Sequence, residues 1–412
     1  MADSLPIHGP NGAHFGPETG GQLSMRPRIP GFGFDWRASA ASGLYHSGLL
    51  RAGRAFSRTY ELQSAGHSRR PKWSKVTTPK FLILCYHRVG LGGIPIYSQL
   101  SPETFESQMR FLKKNYRIVS LQQVCHELQE PSTLGPAVAI TFDDGYSDLF
   151  THALPVLRKY EIPATIYLIA ACMETGQVAW YDRLFLALKV APAGKFAVEL
   201  EELRSFHLDS GPSRLAAALE IISFLRRIPN LQRKEWCRQL EERIQLPLQE
   251  LDGRILTWEQ VHLMQHAGVS FGSHTVSHPV MSRLTPSELE FEIGKSKKML
   301  EAKLSRPVED FAFPFGHPAD CGAQAAEQLV RCGYRSAVTT VAGINVPGGD
   351  PLGLHRLQIC EEDTAPMFAA RLFQLLLRAG SAPPSAAIHA NQAPHPRPVA
   401  ASKPAMRGSN DA

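Results

Sequence analysis

Short apolar runs alternate with amphipathic segments along most of this chain. FLILCY (81–86), AVAITF (137–142), ATIYLIA (164–170), VSFG (269–272), DFAFP (310–314), RSAVTTV (335–341) and HRLQI (355–359) have the length of strands and are mostly apolar without strict alternation. That is the pattern of strands covered on both faces. Between them, TFESQMRFLKKN (104–115), SDLFTHALPVLRKY (147–160), SELEFEIGKSKKMLEAKL (287–304) and AAEQLVRCG (325–333) read as helices. Seven such strands alternating with helices predict a parallel α/β architecture. Residues 176–256 interrupt the alternation. They show helical segments at 181–190, 213–228 and 232–245 and no strand, which predicts a helical insertion between two strands. No internal repeat is visible.

The flanks differ from this core. Residues 1–37 are rich in Gly and Pro and aperiodic, which predicts disorder. Over 41–62, Tyr45, Leu49, Ala52, Phe56 and Tyr60 fall at helical spacing, with Arg51, Arg54 and Arg58 elsewhere on the wheel. This predicts a basic amphipathic helix, packed on the core in the preferred reading and lying on a membrane surface in the other. Residues 63–80 form a polar, basic linker. The tail from Ala379 holds 10 Ala and 6 Pro among 34 residues and is expected to be disordered. The chain thus divides into 1–80, a folded part over 81–378, and 379–412.

Charge follows the same division. The formal net charge is +6 over 412 residues. Residues 1–80 hold 11 Lys/Arg against 4 Asp/Glu, and 81–378 hold 30 against 33. The foldable part is slightly acidic, which argues against a nucleic-acid binder. The basic excess suits peripheral contact of the N-terminal segment with a membrane. Seven scattered cysteines without a Cys-x-x-Cys fit a reducing compartment better than a disulfide framework. The N-terminus lacks a basic region followed by an apolar core, and no apolar run of about 18 residues occurs. A cytoplasmic location is the expectation.

Two motifs carry chemistry. Ala139-Ile140-Thr141-Phe142-Asp143-Asp144-Gly145 ends an apolar strand in two adjacent carboxylates. Strand C-termini form the active face of parallel α/β folds, and adjacent residues there point in different directions. One carboxylate is then free to bind a metal while the other takes a proton; an ordinary Asp-Asp-Gly turn is the alternative. Gly272-Ser273-His274-Thr275-Val276-Ser277-His278-Pro279 places two histidines, separated by three residues, just after another strand. Imidazole is the commonest neutral ligand for zinc-like ions. One carboxylate and two imidazoles leave coordination positions open, as catalytic metal sites do.

With Phe311-Ala312-Phe313-Pro314-Phe315-Gly316, these segments resemble the successive motifs of the polysaccharide deacetylases, carbohydrate esterases with the NodB homology domain. The likeness spans about 81–360 and is nearest to the branch of poly-N-acetylglucosamine deacetylases. It implies a distorted (β/α)7 barrel with a divalent metal, usually zinc, at the C-terminal strand ends. It assigns Asp143 as general base, Asp144, His274 and His278 as metal ligands, and the Phe315 N–H as an oxyanion contact. The implied reaction is removal of N-acetyl groups from an N-acetylated glycan or glycan precursor by metal-activated water. For the general acid, Cys85-Tyr86-His87-Arg88-Val89 matches the first-strand Tyr-His pair of that branch, so His87 is preferred to His355 of Leu354-His355. The chain departs from the family where many members carry an Arg, three residues before the motif Pro. Phe311 stands there, and Arg356 is a candidate substitute beside Asp143. Trp180-Tyr181-Asp182 and Trp258-Glu259 read equally as a site rim or as helix starts. Hydrolysis of another C–N bond, or a non-catalytic glycan-binding barrel, are the alternatives.

Overall fold

A computed structural model describes residues 80–92, 99–130, 136–247, 249 and 252–378. The disorder expected of 1–37 and of the tail, and the amphipathic helix expected over 41–62, lie outside the described residues. The barrel strands are β1 (Phe81–Tyr86), β2 (Ala137–Phe142), β3 (Ala164–Leu168), β4 (Val269–Ser273), β5 (Asp310–Ala312), β6 (Ser336–Val338) and β7 (Leu357–Gln358). They pair in parallel in the order β6-β5-β4-β3-β2-β1-β7. A parallel bridge joins Val338, at the end of β6, to Leu354, just ahead of β7. The two ends of the curled sheet therefore meet, giving the parallel α/β architecture that the strand pattern predicts and the distorted seven-stranded barrel that the family likeness implies.

Apolar runs without alternation are explained by burial on both faces. Phe81 and Ile83 of β1, Ala137 and Ala139 of β2, Tyr167 of β3 and Ala312 of β5 point into one cluster, and Leu121, Val124 and Leu128 of the helix Leu121–Gln129 close it. The intervening positions, Leu82, Leu84 and Tyr86 of β1 and Val138, Ile140 and Phe142 of β2, join the cluster built by the surrounding helices. There the helix Pro102–Asn115, capped by the Ser101 hydroxyl, contributes Phe105, Met109 and Leu112 at i, i+4 and i+7. Interior residues at the top of the strands are polar instead, and these build the site.

The insertion departs from expectation in one respect. Its helices are Trp180–Val190, Gly211–Leu225 and Asn230–Ile244, but Lys195–Glu199 and Leu203–His207 form an antiparallel hairpin between the first two. Only Phe196 and Val198 of this hairpin are buried, a period-2 signal too short to stand out in the sequence. Two predicted helices are also interrupted by π-turns, at Leu149–Ala153 and Phe291–Lys295. The helices Leu121–Gln129, Ala170–Thr175, Pro318–Cys321 and Ala365–Arg378 have no counterpart in the sequence pattern. No helix among the described residues is long and apolar enough to cross a membrane, and all seven cysteines are free.

Candidate metal centre and catalytic site

Strand ends deliver the candidate residues. Asp143 prolongs the ladder of β2, its N–H donating to Tyr86 O at 3.0 Å. Asp144 then turns left-handed at φ 70, followed by Gly145 at φ 73. This reversal splits the two carboxylates between different surroundings. His274 follows β4, with its N–H on Leu168 O at 2.9 Å. The chain turns left-handed again at Thr275 (φ 68) and His278 (φ 52). Non-glycine residues in this region are costly and concentrate at functional sites. Gly272 is required just before the motif, because a Cβ there would lie 2.6 Å from the Tyr167 ring and 2.8 Å from Asp310 O.

Asp144, His274 and His278 converge. Their ligand atoms lie within 4.8 Å of one another, and both imidazole Nε2 atoms face Asp144 Oδ1, at 3.6 and 3.7 Å. Ligand atoms on a tetrahedral zinc with bonds of ~2.0–2.2 Å sit about 3.4 Å apart, so the three are spaced for one ion. The donor set fits such an ion on a second count. All three residues are buried, and among the described residues no donor meets hydrogen-bonding geometry at either Asp144 oxygen or at His278 Nδ1, the Tyr181 hydroxyl being near enough only to lower the Asp144 carboxyl somewhat. Burial, then the charges of Asp143 and Asp182, push the Asp144 carboxyl well above its usual range. Burial holds both imidazoles low, so they are neutral. His274 Nδ1 lies 2.7 Å from Ala312 O. That contact places the ring proton on Nδ1 and leaves the Nε2 lone pair facing the cluster.

Asp143 has a different environment. Arg356 grips it with two parallel hydrogen bonds, Nη1 to Oδ1 and Nη2 to Oδ2, both 2.7 Å, while Arg356 Nε donates to Thr339 O at 2.8 Å. Burial would raise the Asp143 carboxyl; the Arg356 charge, with His274 and the paired hydrogen bonds, overcomes this and holds it far below the usual range. The substitute proposed from sequence is thus in contact with the carboxylate. Phe311 packs instead with the outer cluster, its ring 5.3 Å from those of Phe313 and Tyr334. Its inward neighbour, Ala312, carries no charge.

His87 and Cys85 lie beside Asp143, with ligand atoms of the three within 4.8 Å. Burial pulls the His87 imidazole down to about 4 and pushes the Cys85 thiol up. His355 is directed elsewhere. Its backbone is clamped to the Asn345 side chain and its ring lies against Gly343. Adjacent residues on an extended segment face opposite ways, so Arg356 at the site sends His355 away from it.

The surroundings include residues that the sequence left undecided. Trp180 Nε1 donates to His278 O at 2.9 Å, and the Tyr181 and Phe315 rings stand edge-on to the His278 ring at 4.9 and 4.8 Å. Trp180 and Tyr181 are therefore packing residues at the candidate metal cluster. Phe315 is left-handed (φ 60), in the turn beyond the end of β5. Trp258 and Glu259 begin the helix Trp258–His266, with Thr257 as its cap.

Asp182 accepts from Tyr146 OH at 2.7 Å, its other oxygen is buried without a partner, and burial pushes its carboxyl up to about 7. The folded state therefore binds a proton that the unfolded chain releases near pH 4. Stability contributed by this group is present below pH 4 and is lost as pH rises to about 7. In metal-free protein, Asp182→Asn is expected to raise stability by ~2–4 kcal/mol at pH 8 and by almost nothing at pH 4. Urea titrations at the two pH values test this, and an equal effect at both overturns it.

Glu292 had no signal in the sequence. It sits in the π-turn Phe291–Lys295, fully buried, and accepts from Val276 N (2.9 Å), Ser277 N (2.8 Å) and Ser277 Oγ (2.6 Å). It anchors the loop between the two histidines. Both N–H groups share Oε2, so Glu292→Met removes the acceptor of both and of the Ser277 hydroxyl at once. The expected outcome is a ~10–100-fold loss of metal affinity, read by competition with a chromogenic chelator, with the far-ultraviolet spectrum unchanged.

A family model described as polysaccharide deacetylase matches residues 131–337. A Bacillus subtilis (strain 168) protein bearing a polysaccharide deacetylase name, YxkH, is 24% identical over 301 residues, 72% of this chain and 78% of the relative. A poly-beta-1,6-N-acetyl-D-glucosamine N-deacetylase of Staphylococcus aureus is 31% identical over 114 residues, spanning 24% of this chain and 39% of that protein. Among solved structures, the Streptococcus pyogenes deacetylase PplD in complex with acetate aligns with 72% of this chain and 98% of its own, at a TM-score of 0.49 and 21% identity.

Proposed function

Because the chain belongs to the polysaccharide deacetylase family, we propose that it removes N-acetyl groups from an N-acetylglucosamine polymer or its precursor, with zinc held by Asp144, His274 and His278. One observation carries this reading: a buried Asp-His-His cluster stands beside a second carboxylate that Arg356 keeps ionised. A bound divalent ion would supply Lewis acidity, polarising the acetamide carbonyl and making a water acidic near neutral pH.

The chain's own groups then have distinct tasks. Asp143 accepts the proton of the attacking water, and its carboxylate is kept in one orientation by the Arg356 fork. The Phe315 N–H faces the oxygen that gains charge as water adds to the carbonyl carbon. The C–N bond breaks, acetate leaves, and the amine nitrogen needs a proton. His87, with its imidazole near 4, is neutral at pH 7. It therefore acts as a relay, receiving the proton held at Asp143 and passing it to the nitrogen. Trp180, Tyr181 and Phe315 pack around His278 and keep bulk water from the cluster.

The printed activity of the Staphylococcus aureus relative supports testing β-1,6-linked N-acetylglucosamine first. The free cysteines suit a cytoplasmic setting. Acetate release should be measured on β-1,6- and β-1,4-linked N-acetylglucosamine oligomers and on small cyclic amides, with and without a chelator. Chelator-sensitive release from the oligomers alone is the expected result. Release from the cyclic amides alone would falsify the glycan reading.

A further inference from the structure

Beside the metal loop, a groove of about 320 Å³ lies between the helix Ala170–Thr175 and the insertion helix Asn230–Ile244, with Trp180 and Ser277 among its walls. Four cations line it: Arg183, Arg233, Lys234 and Arg238. Two are neutralised within the chain, Arg183 by Glu241 and Arg238 by Glu235 and Glu242. Arg233 is not, and Lys234 is paired only at the limit of contact. Arg233 is 3% exposed, yet no carboxylate among the described residues forms an ion pair with it. It donates through Nη2 to Asn230 Oδ1 at 2.6 Å, and its guanidinium stacks 4.7 Å over the Trp180 ring. Lys234 is half-exposed at the rim and forms a long ion pair with Glu292, at 4.0 Å.

A buried guanidinium without a counter-ion is costly, and it is retained where an anion completes it. We propose that this groove is a substrate subsite for a carboxylate or phosphate carried by a sugar near the one that loses its acetyl group. Arg233 supplies the paired N–H geometry that both anions accept, and Lys234 adds a point charge at the mouth. Trp180 forms a wall common to the groove and the catalytic cluster, because its ring lies under Arg233 while its N–H holds His278 O. One oligosaccharide is thereby read at both places. The proposal rests on the deacetylase reading only in taking the ligand to be a glycan.

The test measures binding and turnover of three probes: a neutral N-acetylglucosamine hexamer, the same hexamer bearing 6-phosphate, and an alternating N-acetylglucosamine–glucuronate hexamer. Calorimetry on the full chain with the metal chelated reads binding whether or not acetate is released. The expected result is tighter binding of at least one anionic hexamer, weakening as salt is raised. The two anionic arms distinguish phosphate from carboxylate. Arg233→Met should weaken that hexamer by roughly 10–100-fold and Lys234→Gln by roughly 3–5-fold, with the neutral hexamer unchanged. If Arg233→Met fails to fold, Lys234→Gln and Arg233→Lys carry the comparison. Equal binding of neutral and anionic hexamers, or equal losses on both, overturns the subsite. Acetate release from the neutral hexamer in that case leaves the deacetylase reading standing. Preferential anion binding without acetate release has the opposite meaning.

Discussion

Asp143→Asn is expected to lower acetate release by about 10³-fold or more while leaving metal stoichiometry unchanged. The carboxylate is gripped by Arg356 and adjoins the candidate metal cluster, and an amide accepts no proton from water. Asp143 is not a ligand of the proposed ion, so metal analysis of the variant should match the wild type. Stability should respond separately. The change leaves the Arg356 guanidinium, buried at 0% exposure, without its counter-charge, and breaking a buried pair from one side costs ~3–5 kcal/mol. Asp143→Asn/Arg356→Met removes both charges and should recover most of that stability with none of the activity. Arg356→Met alone should lower kcat and move the acid limb of the pH–rate profile upward, because burial would then raise the Asp143 carboxyl without the Arg356 charge, the largest opposing cause, to hold it down. An Arg356→Met enzyme with an unchanged profile would show that the ion pair serves only the fold.

The second large effect concerns the metal. Zinc at 100 times its dissociation constant should stabilise the wild-type chain by about 2.7 kcal/mol, seen as a rise in Tm that a chelator reverses. His274→Ala should abolish both this rise and the activity, since two remaining ligands do not hold a catalytic zinc. The pH dependence has a definite sign. Both imidazoles are already neutral, but the metal-free Asp144 carboxyl is raised by burial and by Asp143. Metal binding must displace that proton, so affinity falls as pH falls through the raised Asp144 value. A zinc-dependent Tm rise that persists in His274→Ala places the ion elsewhere.

What could be read from the sequence was whatever a short stretch of chain expresses on its own. Seven apolar runs showed a sheet buried on both faces, because such strands cannot alternate. Asp143, Asp144, His274 and His278 were legible because each pair is adjacent or nearly so and follows a strand, and parallel strands present their C-termini on one side. His87 was legible only through a family likeness, since one histidine has no spacing to recognise.

Other features needed the folded chain. Arg356 lies 213 positions from Asp143, and only closure of the sheet by the pairing of β7 with β1, itself paired with β2, brings the two together. The same closure turns His355 away from Asp143, because facing is set by the strand and not by the motif. Glu292 looks like any helix-surface glutamate until a π-turn buries it under the histidine loop. Trp180 and Arg233 acquire meaning only when the insertion folds back on that loop. Sequence by itself determined which residues are able to ligate, ionise or pack, because those are properties of side chains and their nearest neighbours. Tertiary structure decided which carboxylate is held ionised and which is left for a metal, because charge state depends on burial and on partners brought from distant strands.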